Sequence, residues 1–188
     1  MLRTFFAIEI GEAARRAAAE LVDALRRDPG CAAVRWGRPE GFHVTLRFLG
    51  PTPEERVPAL AAAVRDATAG IAPFSLALGA LGAFPDARRP RVVFVGVEPA
   101  EPVAALAAAV ERGVVAAGFA PEPRPFHAHL TLGRIRELRR RVRLPAGVRA
   151  EAAPFPVASL VLFRSQPGAA GSTYTPLERI ALDGVASP

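Results

Sequence analysis

The sequence predicts an α+β protein: two related halves facing each other across a central cleft, with antiparallel-rich sheets lining the cleft and helices outside. Three observations lead there. A His-x-Thr pair occurs twice, as His43/Thr45 and His129/Thr131, each inside an apolar run. The order strand, helix, linker, motif strand, helix, strand is followed by a similar order of strand, helix, linker, motif strand, short helix, strand, which reads as a diverged internal duplication. The chain has 188 residues and is 51% hydrophobic, enough for one core. A single bilobal domain over 1–188 is expected, made of two interleaved half-repeats at roughly 1–90 and 91–188.

The elements follow in order. Phe5 to Ile10 reads as a buried strand. Glu12 to Arg27 is alanine-rich, with Ala14, Ala17, Leu21, Ala24 and Leu25 at helical spacing, and Asp28-Pro29-Gly30 stops it. Val34 to Trp36 is a short strand, and Arg38 to Gly41 a turn. Phe42 to Leu49 is the first motif strand. Pro53 opens a second helix reaching about Thr68. Phe74 to Leu81 and Arg91 to Val97 are strands around a turn-rich loop, Phe84 to Pro90. Pro102 to Ala117 is a third helix, and Pro121 to Pro125 a rigid connection. Ala128 to Ile135 is the second motif strand, and Arg136 to Arg143 a short basic helix. Phe155 to Arg164 and Thr173 to Leu182 are strands separated by a Gly/Ser-rich loop, Ser165 to Ser172.

In an extended strand residues i and i+2 share a face. His43 and Thr45 therefore point one way, as do His129 and Thr131, while Val44, Leu46, Leu130 and Leu132 point into a core. Two imidazoles on opposite sides of a phosphorus atom can open a cyclic phosphodiester without a metal. One removes a proton from water and the other protonates the leaving sugar oxygen. An unperturbed pKa of about 6.5 lets one be neutral and the other charged. Thr45 and Thr131 would donate to the non-bridging oxygens. Arg47 shares the face of His43 if the strand is regular, and Arg134 joins Thr131 only if a bulge at Gly133 re-aims it. Both are candidates for binding the substrate.

Other chemistries find less support. His127-x-His129 is half a metal site at most, with no Cys cluster and no carboxylate between Glu122 and Glu137, so no metal and no cofactor are expected. There is no nucleophile elbow and no phosphate loop. Cys31 is the single cysteine, which excludes an intramolecular disulfide and fits a reducing cytoplasm. No segment has the length of a membrane span. The net charge is +6 and every basic residue is arginine, whose planar fork suits phosphate, so a polyanionic partner is expected.

Arg35-Trp36, the run Phe42-His43-Val44-Thr45-Leu46-Arg47-Phe48-Leu49-Gly50, Phe84-Pro85 with Pro90-Arg91-Val92, and Gly171 to Tyr174 together resemble the RNA 2′,3′-cyclic phosphodiesterases, once called 2′-5′ RNA ligases, of the two-histidine phosphoesterase superfamily. The likeness covers almost the whole chain. One departure is Ala128, where the family usually has proline before the second histidine. The resemblance implies a bilobal fold and hydrolysis of a 2′,3′-cyclic phosphate at an RNA end to a 2′-phosphomonoester. It implies His43 as proton donor to the leaving 3′ oxygen, His129 as the base, and reverse ligation without ATP. The residues themselves leave the two roles interchangeable. A monomer acting on RNA with 2′,3′-cyclic phosphate or 2′-phosphate ends is expected. Small cyclic nucleotides, 2′,5′-linked oligonucleotides, or RNA binding without turnover remain the alternatives.

Overall fold

The computed structural model describes residues 1–135, 142–168 and 171–185. Among these residues nine strands form one curled sheet whose pairings are all antiparallel: β1 Leu2–Glu9, β2 Val34–Trp36, β3 His43–Thr52, β4 Phe74–Phe84, β5 Val92–Glu98, β6 His129–Ile135, β7 Phe155–Val157, β8 Ser159–Gly168 and β9 Gly171–Ala181. The order across the sheet is β7-β4-β5-β6-β3-β1-β8-β9, with β2 also paired to β6. Strands β5-β6 and β3-β1 mirror each other about the centre. Around them the chain crosses over: β4, from the first half of the sequence, lies beside β5, and β8, from the second half, lies beside β1.

Three helices, α1 Glu12–Arg27, α2 Val57–Thr68 and α3 Ala100–Ala116, cover one face. Their apolar residues share one core with Phe6, Ile8, Val44, Leu46, Val95, Leu130, Leu132, Leu160 and Leu162. Each buried leucine or phenylalanine here contributes about 1.5–3 kcal/mol. The buried stripe of α1 is Ala14, Ala18, Val22 and Leu25, rotated from the expected Ala17, Leu21 and Ala24. In an alanine-rich helix most faces are weakly apolar, and Leu21 stays partly buried at the margin, packed against two clusters of the core. Glycine matters where α3 crosses α2: a Cβ on Gly113 would come within 2.7 Å of the Val64 Cα. No helix among the described residues is long and apolar enough to cross a membrane.

Two late segments differ from the sequence expectation. Phe155 to Arg164 is not one strand. β7 pairs with β4, and after Ala158 the chain switches to β1 as β8, tying the two halves of the sheet together. Much of the expected loop Ser165 to Ser172 continues the β8–β9 ribbon, with Gln166 opposite Thr173 and Gly168 opposite Gly171. Its polar composition suits a ribbon exposed to solvent. Strand β4 also runs on to Phe84. The expected basic helix Arg136 to Arg143 falls mainly outside the described residues; Arg143 N–H donates to the Gly30 carbonyl.

A bulge overturns the placement expected of Arg47. Ala7 pairs with Thr45 but Phe6 pairs with Arg47, so Leu46 is the extra residue. The alternation slips by one. Phe48 takes the face of His43 and Thr45, its ring stacked 5.9 Å from Phe5, and Arg47 turns to the helices. There its guanidinium donates to Glu111 on α3 (2.5 Å), to the Phe48 carbonyl (2.6 Å) and to the Ala120 carbonyl (2.5 Å). Glu111 in turn accepts from the Glu122 N–H at 2.8 Å. With a side chain 10% exposed, Arg47 ties β3 to the segment leading into β6.

Replacing Arg47 by Met should therefore cost stability, about 2–3 kcal/mol, because Glu111 loses its counter-charge while still partly buried. The melting temperature should fall by roughly 5–10 °C, and Glu111→Leu added to it should recover part of the loss. An unchanged melting temperature with weakened substrate binding would instead return Arg47 to the cleft.

Candidate active site

The site grows from the centre of the sheet. β3 and β6 touch through one register pair, Val44 opposite Leu130, both fully buried on the helix side. The residues on either side of that pair face the open side. Continuing the antiparallel register sets His43 beside Thr131 and Thr45 beside His129. Two sequence motifs distant along the chain thus become one cluster of two imidazoles and two hydroxyls, related by the approximate two-fold through Val44 and Leu130.

Each imidazole is held the same way. His43 Nδ1 lies 2.7 Å from the Gly41 carbonyl, and His129 Nδ1 lies 2.7 Å from the His127 carbonyl. A carbonyl only accepts, so Nδ1 carries the proton. Nε2 is then left for chemistry, as a base in the neutral ring and as an acid in the charged one. This is the part played by His127: its backbone orients His129, while its exposed ring leans against Phe84 at 5.6 Å. The carbonyl two residues before each histidine is a feature the sequence reading missed, although the paired spacing Gly41/His43 and His127/His129 carries it.

Aromatic rings surround both imidazoles. Phe5 lies 4.8 Å from His43, and Tyr174 meets it edge-on at 5.0 Å. Phe84 and Phe94 pack on His129 at 4.9 and 5.3 Å. These walls were also missed, because Phe5 and Phe94 read simply as strand residues. Their effect is electrostatic as well as steric. Burial pushes the His43 pKa down to about 4; the Gly41 hydrogen bond opposes this, and the charges of Arg15 and Arg134 reinforce it. Burial also lowers His129, helped by His127 and Arg134 and opposed by the His127 carbonyl.

The hydroxyls of Thr45 and Thr131 are half-buried and have no protein partner among the described residues. The fully buried threonines satisfy themselves internally: Thr4 and Thr52 share a 2.7 Å bond, and Thr68 donates to the Val64 carbonyl at 2.9 Å. The contrast leaves the motif hydroxyls available to a ligand. Arg134 reaches the open face by a second bulge. Phe94 pairs with Thr131 and Val93 with Gly133, so Leu132 is the extra residue, one position before the expected Gly133. Arg134 is exposed, and its charge acts on both imidazoles. The bulges at Leu46 and Leu132 are equivalent in the two motifs, yet they deliver Phe48 to the cleft in one and Arg134 in the other. No three His, Cys, Asp or Glu side chains converge as a metal site among the described residues.

The whole chain has known counterparts. The family model of the 2′-5′ RNA ligase superfamily matches residues 13–169. A protein of Methanothermobacter thermautotrophicus named RNA 2′,3′-cyclic phosphodiesterase is 33% identical over 181 residues, covering 94% of this chain and 97% of that protein. One of the same name from Thermus thermophilus is 33% identical over 97% of this chain and 91% of its own length. A crystal structure of a Thermus thermophilus protein superposes with a TM-score of 0.79 at 32% identity, covering 97% of this chain and 99% of that one. The LigT protein of E. coli complexed with 3′-AMP gives a TM-score of 0.78 at 28% identity, over 96% and 98% of the two chains. With a family model spanning most of its length and full-length relatives of the same architecture, this chain belongs to the 2′-5′ RNA ligase superfamily.

Proposed function

We propose that the chain is an enzyme that hydrolyses the 2′,3′-cyclic phosphate at an RNA end to a 2′-phosphomonoester, by acid–base catalysis between His43 and His129. The observation that carries this is the joining of both His-x-Thr pairs across one register pair, each imidazole fixed through Nδ1 and presenting Nε2. The relatives' name supports the substrate class. Water attacks phosphorus from the His129 side and gives its proton to Nε2 of that ring. The bond to the 3′ oxygen breaks in line, and the oxygen takes a proton from His43. Thr45, Thr131 and Arg134 hold the non-bridging oxygens as charge builds on them. A resting His43 that is mostly neutral is compatible with the acid role, because a bound phosphate anion favours the imidazolium. With an RNA 5′ hydroxyl in place of the attacking water, the same displacement of the 3′ oxygen joins the two ends through a 2′-5′ linkage.

The deciding experiment incubates the protein, in EDTA, with a short RNA ending in a 2′,3′-cyclic phosphate. The expected product is the 2′-phosphate. His43→Ala and His129→Ala should each lower the rate at least about 10²–10⁴-fold. RNA bound without turnover would favour a binding protein, and inhibition by EDTA would favour a metal. Thr45→Val or Thr131→Val should reduce kcat by about 10- to 100-fold, with the melting temperature little changed, since neither hydroxyl has an internal partner among the described residues.

The pH dependence follows from burial. Both imidazoles titrate below 6.5 in the free protein. The profile of kcat/KM should be a bell lying on the acid side of neutrality, and that of kcat should move to higher pH because bound phosphate raises both groups. Folding stability carries the matching sign. His43 takes up its proton more readily when unfolded, so its contribution is whole above 6.5 and is lost as pH falls towards 4. A kcat/KM that rises steadily to pH 9 would contradict two-histidine catalysis.

A further inference from the structure

We propose that a niche beside His43 seats the base of the terminal nucleoside, and that Glu40 makes this seat prefer guanine. The inference rests on the reaction proposed above. The niche, about 140 Å³, lies between the turn Pro39–Gly41 and β9, and it is walled by Phe42, Phe163, Tyr174 and Pro176. It is a built feature. Gly41 lets the turn close on Tyr174, since a Cβ there would lie 3.1 Å from the ring. Arg15 fixes the same turn by donating to the Pro39 carbonyl at 2.6 Å and the Phe42 carbonyl at 3.4 Å.

The reaction geometry says what belongs there. In a 2′,3′-cyclic phosphate both bridging oxygens sit on one ribose. In-line attack places water opposite the leaving 3′ oxygen, so the ribose and its base lie on the His43 side. The sheet order puts β1, β8 and β9 on that side and β6 with His129 on the other. Glu9, Phe163 and Tyr174 of the niche belong to those three strands.

The charges then select the base. Arg15 is committed to backbone carbonyls, and Glu9 is paired with Arg179 at 2.6 Å. Glu40 is exposed and has no partner among the described residues. A carboxylate accepts and repels phosphate, so it faces a base edge and not the backbone. Guanine offers it two parallel donors, N1–H and the 2-amino group. Adenine and cytosine offer an amino group beside an acceptor, and uracil a single N–H between two carbonyls.

The test compares short RNAs that differ only in the terminal nucleoside 2′,3′-cyclic phosphate. For the wild type, kcat/KM with guanosine should exceed that with uridine by about tenfold or more. Glu40→Gln should bring the ratio to within about threefold, chiefly through a lower kcat/KM with the guanosine end. Equal values for the four bases, or a guanine preference that survives Glu40→Gln, would overturn the proposal. Should no end be hydrolysed, the catalytic reading fails, and the niche is judged by titration with 2′-GMP and 2′-UMP. Tighter 2′-GMP binding that is lost in Glu40→Gln supports the base seat; equal binding of the two refutes it.

Discussion

The pairing of Val44 with Leu130 is the contact on which the site depends. Elsewhere the strands run together over several residues, but β3 and β6 meet at this point and then diverge. Two buried aliphatic side chains, anchored in the helix-covered core, thereby fix the distance between two imidazoles on the opposite face. Hydrophobic burial is non-directional, but the period of two in a strand makes it directional for the neighbours. Holding Val44 and Leu130 inward holds His43, Thr45, His129 and Thr131 outward.

The two bulges refine this plan. A regular β3 would carry Arg47 into the cleft and bury Phe48. The extra residue at Leu46 reverses that, so the guanidinium becomes a strut between β3, α3 and the segment that enters β6. The equivalent irregularity at Leu132 brings Arg134 to the open face that His129 and Thr131 share. One device, used twice, thus supplies an aromatic ring to one flank of the cleft and a positive charge to the other. On the proposed reaction, the near-symmetry of the motifs is broken where a nucleotide, which has a different group on each side of its phosphorus, needs it broken.

The aromatic walls serve order and electrostatics together. Phe5, Tyr174, Phe84 and Phe94 limit how the imidazoles tilt, and the carbonyls of Gly41 and His127 set their tautomer. The same enclosure disfavours the charged ring. On the reaction proposed above, a phosphate held between the two rings reverses that preference and brings the acid into its working state.

Much of this was legible in the chain. The apolar alternation of Val44, Leu46, Leu130 and Leu132 set the faces of both motif strands, and the repeated His-x-Thr spacing named the four polar residues, because strand periodicity is local and needs no partner. The α+β class and the three helices followed from equally local signals. What tertiary structure decided was whatever depends on a neighbouring strand. The bulges at Leu46 and Leu132 exist only relative to β1 and β5, so the fates of Arg47 and Arg134 could not be read from β3 and β6 alone. The break at Ala158 depends on two different partner strands, and the niche at Glu40 on a turn and a ribbon far apart in sequence meeting at Tyr174. Short-range patterns fix which way a side chain faces in an ideal strand; only the register with other strands fixes where that strand departs from the ideal.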